Sequence, residues 1–231
     1  MQKLTKLFLT LFGIILGLFT LLANNNDQPA NELPPVSIKL TECRQLYEDL
    51  HLNKEVDYQA FYQAMKGYNK LKMDNSILTL IDFSKPSTEN RFFVIDLENR
   101  EVLFKSLVSH GKRSGDVYAT SFSNKVGSKQ SSLGFFLTEE TYNGDNGLSL
   151  ILDGLEAGIN DNAKAREVVI HGANYCSWEA AQSGRLGRSW GCPALPKEVT
   201  ESIIETIKGG SLVYAYSSKF NKEYLRKSRI I

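Results

Sequence analysis

From Asp57 onward the chain alternates between two hydrophobic rhythms. Tyr58, Phe61, Tyr62, Met65 and Leu71 recur at helical intervals, which makes one face of a helix apolar. Asp57 is placed to cap that helix, and Val56 stands at staple spacing from Phe61. The aromatic stripe reads as a packing face. After Met73 the period shortens, with β-branched and aromatic runs at 77–83, 91–96, 102–109, 133–137, 148–152, 168–171 and 212–216, separated by clusters of Gly, Asn, Asp and Ser. Leu97, Glu98, Asn99 and Arg100 turn the second run into the third. Seven short strands predict a mainly β, α+β chain with a mostly antiparallel sheet. One late helix interrupts it, because Val199, Ile203, Ile204 and Ile207 share a face, Pro196 precedes it and Gly209 closes it. Residues 218–231 are polar and basic and read as a solvated tail.

The N-terminus follows neither rhythm. Lys3 and Lys6 precede an apolar run over 7–22, and Ala23 is followed by Asn24, Asn25, Asn26 and Asp27. This is the pattern of an export signal over 1–23, cleaved after Ala23 or retained as a membrane tether. No cysteine stands near the end of the run to take a lipid. The next stretch, rich in Asn and Pro up to Pro35, reads as a tether, so that 24–72 comprise a linker and a small helical segment. The main folded β domain is expected at 73–217, and the apolar run points to a protein exported to the periplasm or cell envelope.

Composition narrows the chemistry. With 231 residues, 42% hydrophobic and 10% aromatic, the chain can bury a sizeable core. A formal charge of +1 offers no basic face for nucleic acid. Three cysteines in an oxidising compartment leave at least one thiol free or in an intermolecular bond. Cys43 and Cys176 either pair or sit buried, and Cys192 is the one with a chemical setting. It closes the run Gly184-Arg185-Leu186-Gly187-Arg188-Ser189-Trp190-Gly191-Cys192-Pro193. Gly191 permits backbone geometry that other residues resist, so amides near Gly191 and Cys192 are candidates to converge on an oxyanion. Arg185 and Arg188 flank the loop and would either raise the thiolate fraction or grip a substrate carboxylate.

The chain has three histidines. His51 lies in the accessory region and reads as a surface residue. His110 and His171 each close a strand and are followed by glycine, and His171 stands upstream of Cys192, which makes it the expected base. The Gly172 carbonyl is the expected partner for its other ring nitrogen. His110 is left as a supporting or substrate-binding group. A zinc site from His110, His171, Cys176 and Cys192 is the rival reading, but it has no paired ligand spacing. No metal or other cofactor is expected.

His171-Gly172 followed by Ser189-Trp190-Gly191-Cys192 resembles the motif of murein L,D-transpeptidases of the YkuD superfamily. The resemblance covers about 77–216 and extends to Val108-Ser109-His110-Gly111 and to the Asn- and Gly-rich stretch 148–163. It implies a sandwich or barrel of mostly antiparallel strands with a C-terminal helix. It further implies a Cys192 thioester formed with peptidoglycan stem peptides, release of D-alanine, and cross-linking to a neighbouring stem. Water as acceptor would make the protein an L,D-carboxypeptidase, and loss of turnover a peptidoglycan-binding module. Two positions depart from the motif: Trp190 stands where a second histidine is usual, and Pro193 follows the cysteine. Trp190 is read as packing beneath the loop, with a substrate platform as the alternative. Gly191, Ser189 and Arg188 complete the expected oxyanion and substrate contacts.

Overall fold

The computed structural model describes residues 38–231. The apolar run at 7–22, its cleavage point and the tether as far as residue 37 lie outside the described residues. Among those described, no helix is long and apolar enough to cross a membrane. In chain order the elements are α1 (Cys43–Asp49), α2 (Tyr58–Leu71), β1 (Ile77–Asp82), β2 (Phe92–Asp96), β3 (Glu101–Ser106), β4 (Gly134–Gly144), β5 (Gly147–Gly154), β6 (Val169–Gly172), α3 (Trp178–Gln182), β7 (Ala194–Leu195), α4 (Lys197–Ile207), β8 (Leu212–Tyr216) and α5 (Asn221–Lys227).

Among the described residues the strands form an eight-stranded mixed sheet in the order β3-β2-β1-β8-β4-β5-β6-β7. The pairs β1–β8 and β6–β7 are parallel and the other neighbours antiparallel. Its central strands look continuously apolar because both of their faces are covered. Leu78 and Leu80 of β1, Phe93 and Ile95 of β2, and Leu212, Tyr214 and Tyr216 of β8 enter one core with α1 and α2. The alternate residues Ile81, Phe92, Val94, Val213 and Ala215 enter a second core with Ile203, Ile204 and Ile207 of α4. A side-chain period of two therefore feeds two layers at once. The Asp57 carboxylate accepts the Gln59 amide at 2.9 Å and starts α2. Gly67 lets that helix press on β4, since a Cβ there would stand 2.1 Å from the Phe135 ring.

The sheet nearly closes into a barrel. The chain leaving β3 returns along β7, where the Ser109 amide donates to the Ala194 carbonyl at 2.8 Å and the Ala194 amide donates back at 3.3 Å. Ala194 is also in register with His171 of β6. The two-residue strand β7 thus lies between the two histidine-bearing segments.

Several expectations change. Strand β4 runs on to Gly144, and with β5 it forms an arm beyond the main sheet. β7, α1 and α3 are too short to show a period. The stretch after residue 217 keeps its charged side chains exposed but is more than a tail: it contains α5, Tyr224 and Ile230 are buried in the α1–α2 core, and the Tyr224 hydroxyl donates to Glu156 at 2.8 Å. Cys43 and Cys176 do not pair. All three thiols are free, Cys43 lying in the α1–α2 core and Cys176 in a separate cluster with Leu107, Leu186 and Ala194. Burial pushes both thiols up to about 11.

Candidate active site

The loop before β7 is shaped by one serine. Ser189 Oγ accepts the Gly191 amide at 3.0 Å and donates to the Cys192 carbonyl at 2.6 Å, which winds the backbone around Gly191. Gly191 has φ +136, and a Cβ there would stand 2.8 Å from the Gln130 carbonyl. Only glycine fits so close a backbone approach. The loop is tied to the segment after β3, since the Ser189 amide donates to the His110 carbonyl at 3.0 Å and the Lys112 amide to the Ser189 carbonyl at 2.8 Å. Ser131 Oγ donates to the Gly191 carbonyl at 3.0 Å. Both backbone polar groups of Gly191 are therefore occupied, so it does not supply the expected oxyanion donor.

Cys192 is partly exposed and lines, with His171, a cavity of about 1040 Å³ that also reaches Glu139 and Tyr142 of the β4–β5 arm. Its Sγ donates to the Glu167 carbonyl at 3.5 Å. Surrounding protein pushes the thiol up, against the opposing pull of the Val169 amide and the Arg166 charge. His171 Nδ1 lies 2.9 Å from the Gly172 carbonyl. A carbonyl can only accept, so Nδ1 carries the hydrogen and Nε2 keeps its lone pair. Burial pushes the imidazole down, only partly offset by that hydrogen bond, so the ring is neutral near pH 7. The arrangement is thus a neutral thiol and a neutral imidazole sharing one cavity, in which a base can take the thiol proton as the sulfur attacks.

His110 is placed elsewhere. It is fully buried and contributes no surface for substrate. Its Nδ1 lies 2.8 Å from Arg91 Nη2, and because an arginine only donates, this ring carries its hydrogen on Nε2. Burial, then the adjacent Arg91 charge, pushes it down to about 3. Arg91 is itself completely buried, donating to the carbonyls of Val108 and Lys85 at 3.0 Å each through Nε and Nη1.

The remaining predicted residues divide. Arg188 lines the cavity, but it donates to the Gly115 carbonyl at 2.8 Å, and Arg185 and Arg188 both lie against Asp116, at 3.2 and 3.5 Å. A third arginine, Arg166, also lines the cavity, and its Nη2 would stand 3.3 Å from a Cβ on Gly191; nothing in the spacing of the motif marks it. Trp190 does not pack beneath the loop: it is 70% exposed on the cavity rim, with Lys129 Nζ 4.2 Å and Lys112 Nζ 5.5 Å from its ring centre. The loop backbone is already held by Ser189 and Ser131, which leaves the indole free for the surface. Among the described residues no three His, Cys, Asp or Glu side chains are grouped to hold a metal ion, so the zinc reading has no geometric site. The quartet Ser109-His110-Gly111-Lys112 has the Ser-x-x-Lys spacing of serine acyl-enzymes. Ser109 is fully buried in the bridge to β7 and cannot meet a substrate.

The fold is thus a nearly closed mixed sheet carrying a cysteine and a histidine in one cleft. The profile of the L,D-transpeptidase catalytic domain matches residues 52–216, and the chain belongs to that family. No curated protein matches the sequence. Among solved structures, the chain is similar to an L,D-transpeptidase from Mycobacterium smegmatis, at 16% identity over 61% of this chain and 58% of that one, with a TM-score of 0.38. L,D-transpeptidase 1 of Mycobacterium tuberculosis aligns at 14% identity over 61% of this chain and 62% of that one, with a TM-score of 0.35. The aligned part spans only about three fifths of these two chains. An L,D-transpeptidase from Xylanimonas cellulosilytica aligns at 14% identity over 77% of this chain and 92% of that one, with a TM-score of 0.36.

Proposed function

We propose that the protein is an exported peptidoglycan L,D-transpeptidase in which Cys192 is the nucleophile and His171 its base. The observation that carries this reading is the tautomer of His171: its Nδ1 hydrogen is committed to Gly172, so Nε2 is left as an acceptor in the cavity that Cys192 lines. As the sulfur attacks the carbonyl carbon of the L-centre of the third stem residue, its proton passes to His171 Nε2. The C–S bond forms, the C–N bond to D-alanine breaks, and the imidazolium returns the proton to the departing amine. The amine of a neighbouring stem then attacks the thioester; its surplus proton leaves through His171 and reprotonates the sulfur as the C–S bond breaks. Water in place of that amine gives carboxypeptidase products.

The test is chromatographic. Purified protein incubated with disaccharide tetrapeptide should release D-alanine and form a dimeric product, while the terminal D-alanine of a pentapeptide substrate stays in place. Cys192→Ala should abolish release. Release from the pentapeptide alone, or undiminished release by Cys192→Ala, would overturn both the bond assignment and the nucleophile. A product monomer shortened by one residue, with no dimer, would identify water as the acceptor.

A further inference from the structure

Arg166 is a half-buried cation whose hydrogen bonds all run to uncharged oxygens. Nη1 donates to the Ser123 carbonyl at 2.7 Å and to the Ser132 hydroxyl, and Nη2 to the Gln130 carbonyl and, at 3.4 Å, to the Ser128 hydroxyl. Among the described residues no carboxylate lies at ion-pair distance from it. Taking a guanidinium partly out of water without a counter-ion costs free energy that neutral acceptors offset only in part. Such a charge is accounted for where an anion forms beside it.

The geometry indicates which anion. A Cβ on Gly191 would lie 3.3 Å from Arg166 Nη2, so the guanidinium lies against the backbone one residue before Cys192. The residue after Arg166, Glu167, adopts a left-handed backbone at φ +54 and offers its carbonyl to Cys192 Sγ at 3.5 Å. A non-glycine residue held in that region is a local strain that the surrounding contacts maintain. Arg166 also lines the cavity that holds Cys192 and His171. The two arginines nearer in sequence are turned to Asp116 instead.

Building on the reading of Cys192 as nucleophile, we propose that Arg166 is a positioning residue that supplies the positive charge favouring the Cys192 thiolate, while its hydrogen bonds hold the 123–132 loop against the Gly191–Cys192 turn. When the thiol proton moves to His171 Nε2, Arg166 faces the negative member of the resulting pair. Consistent with this, the Arg166 charge opposes the upward push of burial on Cys192, and Cys192 in turn pulls Arg166 up against its own burial.

Alkylation of the folded full chain by iodoacetamide, followed by intact mass across pH, tests this directly. The thiolate displaces iodide and forms a C–S bond, and because Cys43 and Cys176 are fully buried the reaction reports Cys192. Arg166→Gln should be alkylated roughly tenfold more slowly than wild type at pH 7, with the two rates converging in alkali. Arg166→Lys keeps the charge but cannot reproduce the fork of hydrogen bonds, and should stay within about threefold of wild type. A wild-type rate in Arg166→Gln, or a folded Arg166→Lys slowed as much as the Gln variant, would overturn the charge role and leave only a loop clamp. Should Arg166→Gln fail to fold, the Lys variant decides alone by the same threefold and tenfold bounds. The nucleophile reading fails on a separate measurement, D-alanine release by Cys192→Ala.

Discussion

His110-Gly111 and His171-Gly172 flank the same two-residue strand, β7, one on each side of Ala194. The dipeptides are identical, yet the two rings are set to opposite tasks by what their Nδ1 atoms meet. At His171 the partner is a carbonyl, which fixes the hydrogen on Nδ1 and leaves the lone pair on Nε2, in a ring that lines the cavity. At His110 the partner is a guanidinium, which fixes the hydrogen on Nε2, and the ring is sealed from solvent. The first imidazole is the proton acceptor of the proposed reaction. The other converts an uncompensated buried arginine into a brace for the segment that pairs with β7 and holds Ser189. A histidine's role is thus written in the donor or acceptor character of a single neighbour.

The largest expected effect separates the two by kinetics. His171→Gln should slow acylation of Cys192 by roughly 10²- to 10⁴-fold, the usual contribution of a positioned base, while leaving the protein folded. His110→Gln should cost less than tenfold, because it touches the reaction only through the loop. Intact mass over time with a carbapenem as acylating agent measures both. Comparable losses in the two variants would erase the distinction.

The next effect separates them by stability. Arg91→Met leaves the Val108 carbonyl and His110 Nδ1 without donors, and each buried orphan costs about 1–3 kcal/mol. Arg91→Met should therefore lower the urea unfolding free energy by about 3 kcal/mol. His171→Gln, whose lost hydrogen bond goes to an adjacent carbonyl, should change it by about 1 kcal/mol or less. Equal unfolding midpoints for the two variants would remove the bracing role of Arg91.

Much of this was legible in the sequence, for physical reasons. Strands whose two faces enter two cores read as unbroken apolar runs, α2 has its Asp57 cap, and both α2 and α4 keep a helical period. The cysteine loop announced itself because glycine and serine there answer to backbone geometry, namely the approach of Gly191 to Gln130 and the double hydrogen bond of Ser189. What stayed hidden has equally definite causes. β7 is two residues long and held by its neighbours on both sides, so no period exists to find. Arg166 works through residues 34 to 43 positions away in the 123–132 stretch, and nothing local distinguishes it from Lys164. The closing segment hides because Tyr224-Leu225 and Ile230-Ile231 are short apolar pairs among charges with no period, and the burial of Tyr224 and Ile230 depends on the distant carboxylate of Glu156 and the α1–α2 core. Trp190 misled because the usual prior for a large aromatic is burial, whereas here the loop is anchored by hydroxyls.

The smallest effect is one of pH, and its sign follows from His110 alone. The folded ring is pushed down to about 3 from an ordinary 6.5, first by burial and then by Arg91; the charged Arg188 opposes protonation as well, and the carbonyls of Gly115 and Asp116 favour it without prevailing. Between those two values the unfolded chain binds a proton at this site and the native protein does not. Stability contributed by the neutral ring is therefore complete above 6.5 and is lost as pH falls towards 3. From pH 7 to pH 5 this linkage amounts to about 2 kcal/mol. His110→Asn offers Arg91 an amide oxygen in place of Nδ1 and has nothing to titrate, so it should unfold at lower urea than wild type at pH 7 but lose about 2 kcal/mol less on going to pH 5. Urea unfolding of both proteins at the two pH values measures it. His171, also pushed down by burial, contributes a loss of the same sign in both proteins and cancels in the difference. Parallel losses in wild type and His110→Asn would mean that His110 takes up a proton in the folded state, and the contrast between the two histidines would then rest on exposure rather than on charge.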